Sequence, residues 1–249
     1  MTPREATIQN LKNLKGQPLK EQLQYIFTSF RSTILVILAV LAIATSLIVN
    51  WAMQKDPALQ LCCVDTVTDE TVMNGYLQGF AQTQGIDSEK TPLQTKLMQF
   101  GQDVESDYNQ YLALIAMQSE GLLDVLVADY EVALDFGYQG FLSDLTKTLT
   151  PQQLDALAPY LIYIDLALLE ELDSFAGETP VFPDSAAPEK MEKPIPVAIK
   201  LQPEWSLTQT CYPTTYQNYA LALFYNAGNM DNAQAFLQYI LANTSAPKN

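Results

Sequence analysis

The pattern of apolar and polar positions divides the chain into two unequal parts. From Ser32 to Gln54 it reads STILVILAVLAIATSLIVNWAMQ, with no charged side chain. A helix of about 20 residues crosses the hydrocarbon core of a bilayer. A run that is apolar on every face predicts a membrane span rather than an amphipathic surface helix. Just upstream, Leu19, Leu23, Ile26, Phe27 and Phe30 recur at helical spacing beside Lys20 and Arg31. Two readings stay open there: an amphipathic helix at the headgroup layer, or a plain extension of the span.

Beyond the span, short strand-like and helix-like stretches alternate. Residues 58–64 are apolar or β-branched at most positions and predict a strand ending at Asp65. Thr68, Asp69 and Glu70 then supply a helix start, Val72, Met73, Tyr76, Leu77 and Phe80 an apolar stripe, and Gly85 a stop. Residues 93–100 predict the next strand. A helix opening at Asp103 or Ser106 follows, with Tyr108, Tyr111, Leu112, Ile115 and Ala116 as its buried stripe and Gly121 as its end. The run 122–128, LLDVLVA, has the continuous apolar character of a strand buried on both faces. Another helix begins at Asp129 and carries Val132, Ala133 and Phe136. Thr150, Pro151 and Gln153 form the signature of a capping box with proline at the first helical position. Strands at 161–164, 195–201 and 219–225 and a helix at 231–241 complete the pattern.

Alternating strands and helices at this spacing predict an α/β domain: a mostly parallel sheet with flanking helices, preceded by a single transmembrane helix. The expected organisation is a basic, amphipathic cytoplasmic segment at 1–31, a transmembrane helix at 32–54 and an extracytoplasmic domain at 55–249. Within that domain, 170–194 is rich in Pro, Glu, Ser and Ala and predicts an exposed excursion.

Charge sets the orientation. Five Lys or Arg stand against two Glu before the span, a net of +3, while the whole chain carries 13 Lys and Arg against 28 Asp and Glu, a net of −15. The remainder therefore carries −18. Basic flanks stay in the cytoplasm, so the acidic domain is expected outside the cell membrane of a bacterial-type cell. A cleavable signal is the competing view of the apolar run, since Ala42-Ile43-Ala44 resembles a cleavage site. The run continues through Leu47, Ile48, Val49 and Trp51, which favours retention as an anchor. Attachment through a lipid-modified cysteine fits less well, because Cys62 and Cys63 lie inside a strand.

The chain holds three cysteines, Cys62, Cys63 and Cys211, and no histidine. One bridge from Cys211 to either neighbour and three buried thiols are both open. The residue set disfavours a zinc site and removes every His-dependent triad. The scattered carboxylates are placed as helix starts would place them. The expectation is a non-enzymatic protein with no cofactor and no metal. Nucleic acid is excluded as a partner by the charge of −18, which would repel phosphates.

Two separated pieces carry a resemblance. QSEGLLDVLVADYEVALDFGYQGFLSDLTKTL resembles the segment of extracellular solute-binding proteins of ABC importers in which a turn, a buried strand with Asp, a short helix and a Leu-x-Asp-Leu stretch follow one another. YALALFYNAGNMDNAQAFLQYIL is similar to that family's closing strand and helix, with Ala233, Phe236 and Leu237 at its spacing. The resemblance covers about half of 55–249 and implies a fold more than an activity. Family members have two lobes of similar size around the ligand and a lipid anchor. Here the second lobe would be reduced, and an uncleaved helix would hold the chain.

In open parallel sheets, ligands bind outside the carboxyl ends of the strands, near helix N-termini. That rule selects Asp65, Thr66 and Thr68 after the first strand, Asp129 and Tyr130 after LLDVLVA, and Tyr225, Asn226 and Asn229 after YALALFY. Asp129, Thr68 and Asn229 serve equally well as helix caps, and Tyr130 as core cover. The expected function is a membrane-anchored binding protein that recognises a small solute or a peptide, cationic or neutral, for a transporter or receptor. The alternative is a structural subunit of a membrane complex with no working cleft.

Overall fold

The computed structural model describes residues 18, 20, 31–53, 56–101, 104–172, 184–212 and 218–243, and within them the side chains of 47–53, 104 and 170–172 are not described. The chain divides into two units, Met1–Lys55 and Asp56–Asn249.

The described part of the first unit is helix α1, Arg31–Met53, 23 residues long with no acidic residue in its first turn and no basic residue in its last. Leu35, Val36, Ile37 and Leu38 are all exposed, by 53 to 61%. Four consecutive residues point around the whole circumference of a helix, so α1 is apolar on every side. Among the described residues, no helix is long and apolar enough to cross a membrane. The basic segment expected at 1–31 lies almost wholly outside the described residues.

The second unit is built on a six-stranded sheet in the order β2-β1-β3-β6-β5-β4. Its strands are β1 (Leu59–Val64), β2 (Leu93–Met98), β3 (Val125–Asp129), β4 (Leu161–Asp165), β5 (Pro194–Lys200) and β6 (Tyr219–Leu223). The helices are α2 (Glu70–Gln84), α3 (Val104–Ser119), α4 (Tyr130–Tyr138), α5 (Pro151–Leu157), α6 (Leu166–Leu172), α7 (Ser206–Cys211) and α8 (Met230–Ala242).

Alternation along the buried strands divides the core into two layers. Leu59, Leu61, Val125, Val127, Leu221 and Leu223 face one side, where Met73, Leu77 and Phe80 of α2 and Phe236, Leu237 and Ile240 of α8 cover them. Phe80 and Phe236 meet edge to face with ring centroids 5.1 Å apart. Cys62, Val64, Leu126, Ala128, Ala220 and Ala222 face the other side, under Leu114 of α3 and Ala133 and Phe136 of α4. Helices on both faces make a three-layer α/β/α domain. The helices α2 and α3 lie on opposite faces, and the strands they lead to flank β1 on opposite sides, as right-handed crossovers require.

Several local signals act as the sequence predicts. Asp69 caps α2 by accepting from Thr71 N at 2.7 Å, and Gly85 closes that helix. The capping box of Thr150 and Gln153 is formed in both directions.

The sheet is mixed, which corrects the expectation of a mostly parallel one. β1 pairs in parallel with β2 and β3, but β6 runs antiparallel to β3 and β5, and β4 antiparallel to β5. The reason lies in the helices of the later connections, since α6 has seven residues and α7 six where α2 has 15 and α3 has 16. A parallel crossover needs a segment that travels back along the strand. The six residues of α7 rise only about 9 Å, against roughly 17 Å for a five-residue strand. The chain therefore re-enters the sheet from the end at which it left.

The excursion expected at 170–194 is also corrected in part. Residues 173–183 lie outside the described residues, but Ser185, Ala187 and Met191 are buried. Asp165 fastens this returning segment by accepting from Glu192 N at 2.8 Å and Lys193 N at 2.9 Å.

The three cysteines are free and buried. Cys62 packs in one layer of the core and Cys63 and Cys211 in the other. Burial pushes the thiols of Cys63 and Cys211 each up to about 12.

Candidate functional site

The order β2-β1-β3 reverses the direction of winding at β1, and the carboxyl ends of β1 and β3 open on a common edge. Asp65 follows β1 in the left-handed region, at φ 52. Its backbone N donates to Met98 O at 3.0 Å, and its Oδ1 accepts from Phe100 N at 2.7 Å. Two side chains of α3 hold the same loop. Gln99 N donates to Gln110 Oε1 at 3.1 Å, and Gly101 N donates to Asp107 Oδ2 at 2.8 Å. The turn after β2 is thus drawn against α3.

A cavity of about 520 Å³ lies between this turn, α3 and α4, within the ordinary range for a small-molecule site. Phe100, Tyr108, Tyr111 and Phe136 supply aromatic walls, Asp65, Asp107, Glu131 and Asp135 supply carboxyls, and Val132 adds an apolar contact; among the described residues the lining contains no Lys or Arg. Tyr111 Oη donates to Gln139 Oε1 at 3.0 Å, and Gln139 Nε2 donates to Asp135 Oδ2 at 2.7 Å. That relay links the Tyr111 hydroxyl to the Asp135 carboxyl through Gln139. Burial raises the pKa of Asp135 above the ordinary carboxylate range, and the bond from Gln139 pulls it partly back.

Of the residues selected from the sequence, five come together at this end of the sheet and three do not. Asp65 lines the cavity. Thr66 is buried beside it, and its nearness to Cys63 and Tyr212 offsets only a part of the rise that burial causes in their pKa values. Thr68 Oγ1 donates to Cys211 O at 3.1 Å, while Val67 N donates to Tyr219 Oη at 3.1 Å. Asp129 caps α4 through Glu131 N at 3.1 Å. Tyr130 N donates to Asn218 O at 2.8 Å, and the Tyr130 and Ser185 hydroxyls are hydrogen-bonded. These four hold the edge together and do not line the cavity.

Tyr225, Asn226 and Asn229 lie at the opposite end, because β6 runs antiparallel to β3. Tyr225 lines a separate cavity of about 370 Å³ with Asp144 and Lys147. Asn226 Oδ1 accepts from Gln118 Nε2 at 3.1 Å. Asn229 serves Asp124, which is fully buried at the start of β3. Asp124 Oδ1 accepts from Asn229 N at 2.8 Å, and Oδ2 accepts from Gln60 N at 2.7 Å and Asn229 Nδ2 at 3.2 Å. Burial raises the pKa of this carboxyl, and those bonds oppose the rise. Backbones also touch there. A Cβ on Gly228 would stand 2.5 Å from Gly121 O, and one on Gly121, at φ 68, would stand 2.9 Å from Asn226 O. This end is therefore a structural clasp.

Most of the cavity was not legible in the sequence. The stripe expected to be buried on α3 is not: Tyr108 is 62% exposed and Leu112 45%, while Leu114 carries the contact with the sheet. The available signal was the four-residue spacing of Glu131 and Asp135, which places two carboxyls on one face of α4.

No family model matches the chain, and no curated protein matches it. Among solved structures, the periplasmic binding protein P5PA aligns over 74% of this chain and 79% of its own, at 14% identity and a TM-score of 0.33. A likeness that distant fixes no function.

Proposed function

We propose that this chain is a membrane-anchored, extracytoplasmic binding protein without enzymatic activity, which takes up a small solute or peptide on behalf of a transporter or receptor. The observation that carries the reading is the cavity of about 520 Å³ at the carboxyl ends of the parallel strands, walled by rings and carboxyls. Open α/β sheets place their ligands at such an edge. The sequence resemblance to extracellular solute-binding proteins supports the same reading. The anchor rests on α1, whose described side chains from Leu35 to Ile43 include seven large apolar ones exposed to the surroundings, a surface that water does not favour.

The test uses the full chain in detergent, screened by thermal shift against amino acids, peptides, sugars and metal ions at millimolar concentration. A ligand that binds only the folded state raises the midpoint by mass action. At least one class should shift it, and uniformly absent shifts would sink the small-solute reading. Alkaline extraction of membranes tests the anchor: the chain should stay in the pellet.

A second reading has one observation in its favour. The described residues form one sheet and no second lobe to close over a ligand, which suits an interaction subunit of a membrane complex. Affinity purification from membranes separates the two, since that reading requires stable partner subunits.

A further inference from the structure

We infer that the cavity between α3 and α4 selects an organic ammonium ion, a compact amine or quaternary ammonium carried on a short alkyl body. The inference rests on the binding reading above and names the ligand class of the same site.

Three features lead to it. The first is the pairing of rings with carboxyls. Phe100, Tyr108, Tyr111 and Phe136 line the space together with four acids and no base. Aromatic faces attract cations through their quadrupole, and an alkylated ammonium gains both from that field and from apolar contact. An anion would meet acids on every side, and a neutral sugar, though its hydroxyls can donate to carboxyls, would bring no charge to offset theirs.

The second feature is how those charges are balanced. Asp107 and Glu131 stand in the first turns of α3 and α4, where they offset the positive ends of the two helices. Those ends would otherwise recruit an anion. Asp65 and Asp135 lie outside both first turns, so their charge is surplus to that balance. It faces a space whose own lining supplies no cation.

The third feature excludes the commonest alternative for an acidic cavity. Among the described residues, no group of three or more His, Cys, Asp or Glu side chains could hold a metal ion. Divalent cations need oxygens converging at about 2.0–2.6 Å. A cavity lined by both carboxyls and aromatic faces suits a larger, diffuse cation.

Isothermal titration of the full chain in detergent, with choline and putrescine as probes and calcium and glutamate as comparators, tests the inference. Binding of at least one ammonium probe is expected, with no heat from glutamate and no competition by calcium. Tyr111→Ala and Asp135→Asn should each weaken that binding by about tenfold. Asp144→Asn, in the separate cavity beside Tyr225, should leave it unchanged, and circular dichroism establishes that each variant is folded. Ammonium binding that survives both cavity variants would overturn the inference, as would binding of calcium at the same site. If the thermal-shift screen finds a neutral or anionic ligand while both ammonium probes fail, this inference falls and the binding-protein reading stands. If no ligand of any class binds, both fall.

Discussion

The two ends of strand β3 use the same chemistry to opposite effect. At its start, Asp124 is fully buried, and two backbone N–H groups and one side-chain amide point at its oxygens. At its far end, Asp65, Asp107, Glu131 and Asp135 line a cavity. Burial raises the pKa of both Asp124 and Asp135. The difference lies in what surrounds each carboxyl. Asp124 accepts from three donors of the fold, whereas Asp135 accepts from Gln139 and lines a cavity. A polar group whose partners all belong to the protein is structural, whereas acids and rings gathered around an empty space are the usual form of a binding site.

Substitutions at the middle of β3 should break both ends at once. Val127 is fully buried, packed in the layer beneath α2 and α8. Val127→Asp places an unpaired charge in that core and should cost more than about 4 kcal/mol. Denaturant unfolding should find little or no folded domain. A stable, folded variant would mean that β3 is not central.

How much of this was legible in the sequence follows the same division. The parallel half, β2-β1-β3, was readable because each strand is joined to the next through a helix of 15 or 16 residues with its own cap or glycine stop. Periodicity and capping act within a few residues, so they leave their mark on a short window. The antiparallel half was readable as strands but not as a topology. The position of β6 between β3 and β5 is decided by pairings such as Val125 with Leu223, far apart along the chain. That pairing also carried Tyr225, Asn226 and Asn229 to the wrong end for a shared site. Asp124 escaped notice for a related reason. Inside LLDVLVA it reads as a tolerated polar residue, and its role depends on Gln60 and Asn229, neither of them a sequence neighbour.

Asp124→Ala sharpens the comparison at the closed end. The substitution leaves the N–H group of buried Gln60 and that of half-buried Asn229 without their carboxylate acceptor. An unsatisfied buried donor costs roughly 1–3 kcal/mol, so the domain should lose about 3 kcal/mol by urea unfolding at pH 7. A loss near zero would mean that water replaces the carboxylate, and the clasp would have to be given up.

A smaller effect is expected at the antiparallel edge, and it should depend on pH. Burial acts to raise the pKa of Asp165, but the backbone N–H groups of Glu192, Lys193 and Ala167 outweigh it and hold the carboxyl below its ordinary value. A carboxyl with a depressed folded pKa stabilises the fold above its unfolded pKa, about 3.9, and loses that contribution as pH falls through the folded value. Asp165→Asn should therefore be less stable than the wild type at pH 7, with the gap closing below about pH 4. Urea midpoints of both proteins at pH 7 and pH 3 measure this. A gap independent of pH would show that Asp165 acts through shape and not through charge.

Asp135→Asn carries the smallest expected effect on stability and completes the comparison. Because burial raises this carboxyl, the folded state favours its protonated form. A raised pKa contributes stability that is fully present below the unfolded value and is lost as pH rises through the folded one. At pH 7 the ionised group therefore opposes the fold slightly, and an amide of the same shape should leave stability within about 0.5 kcal/mol of the wild type or raise it a little. The amide oxygen can still accept from Gln139 Nε2, so the relay to Tyr111 need not be lost. The side chain is substantially exposed, and screening by solvent keeps the gain small. Urea unfolding at pH 7 and pH 4 should show the variant level with or above the wild type at the higher pH, with the wild type catching up at the lower. A loss as large as that of Asp124→Ala would place Asp135 among the groups that hold the domain together. The two ends of β3 would then be alike, and the cavity would lose its claim to be the end reserved for a ligand.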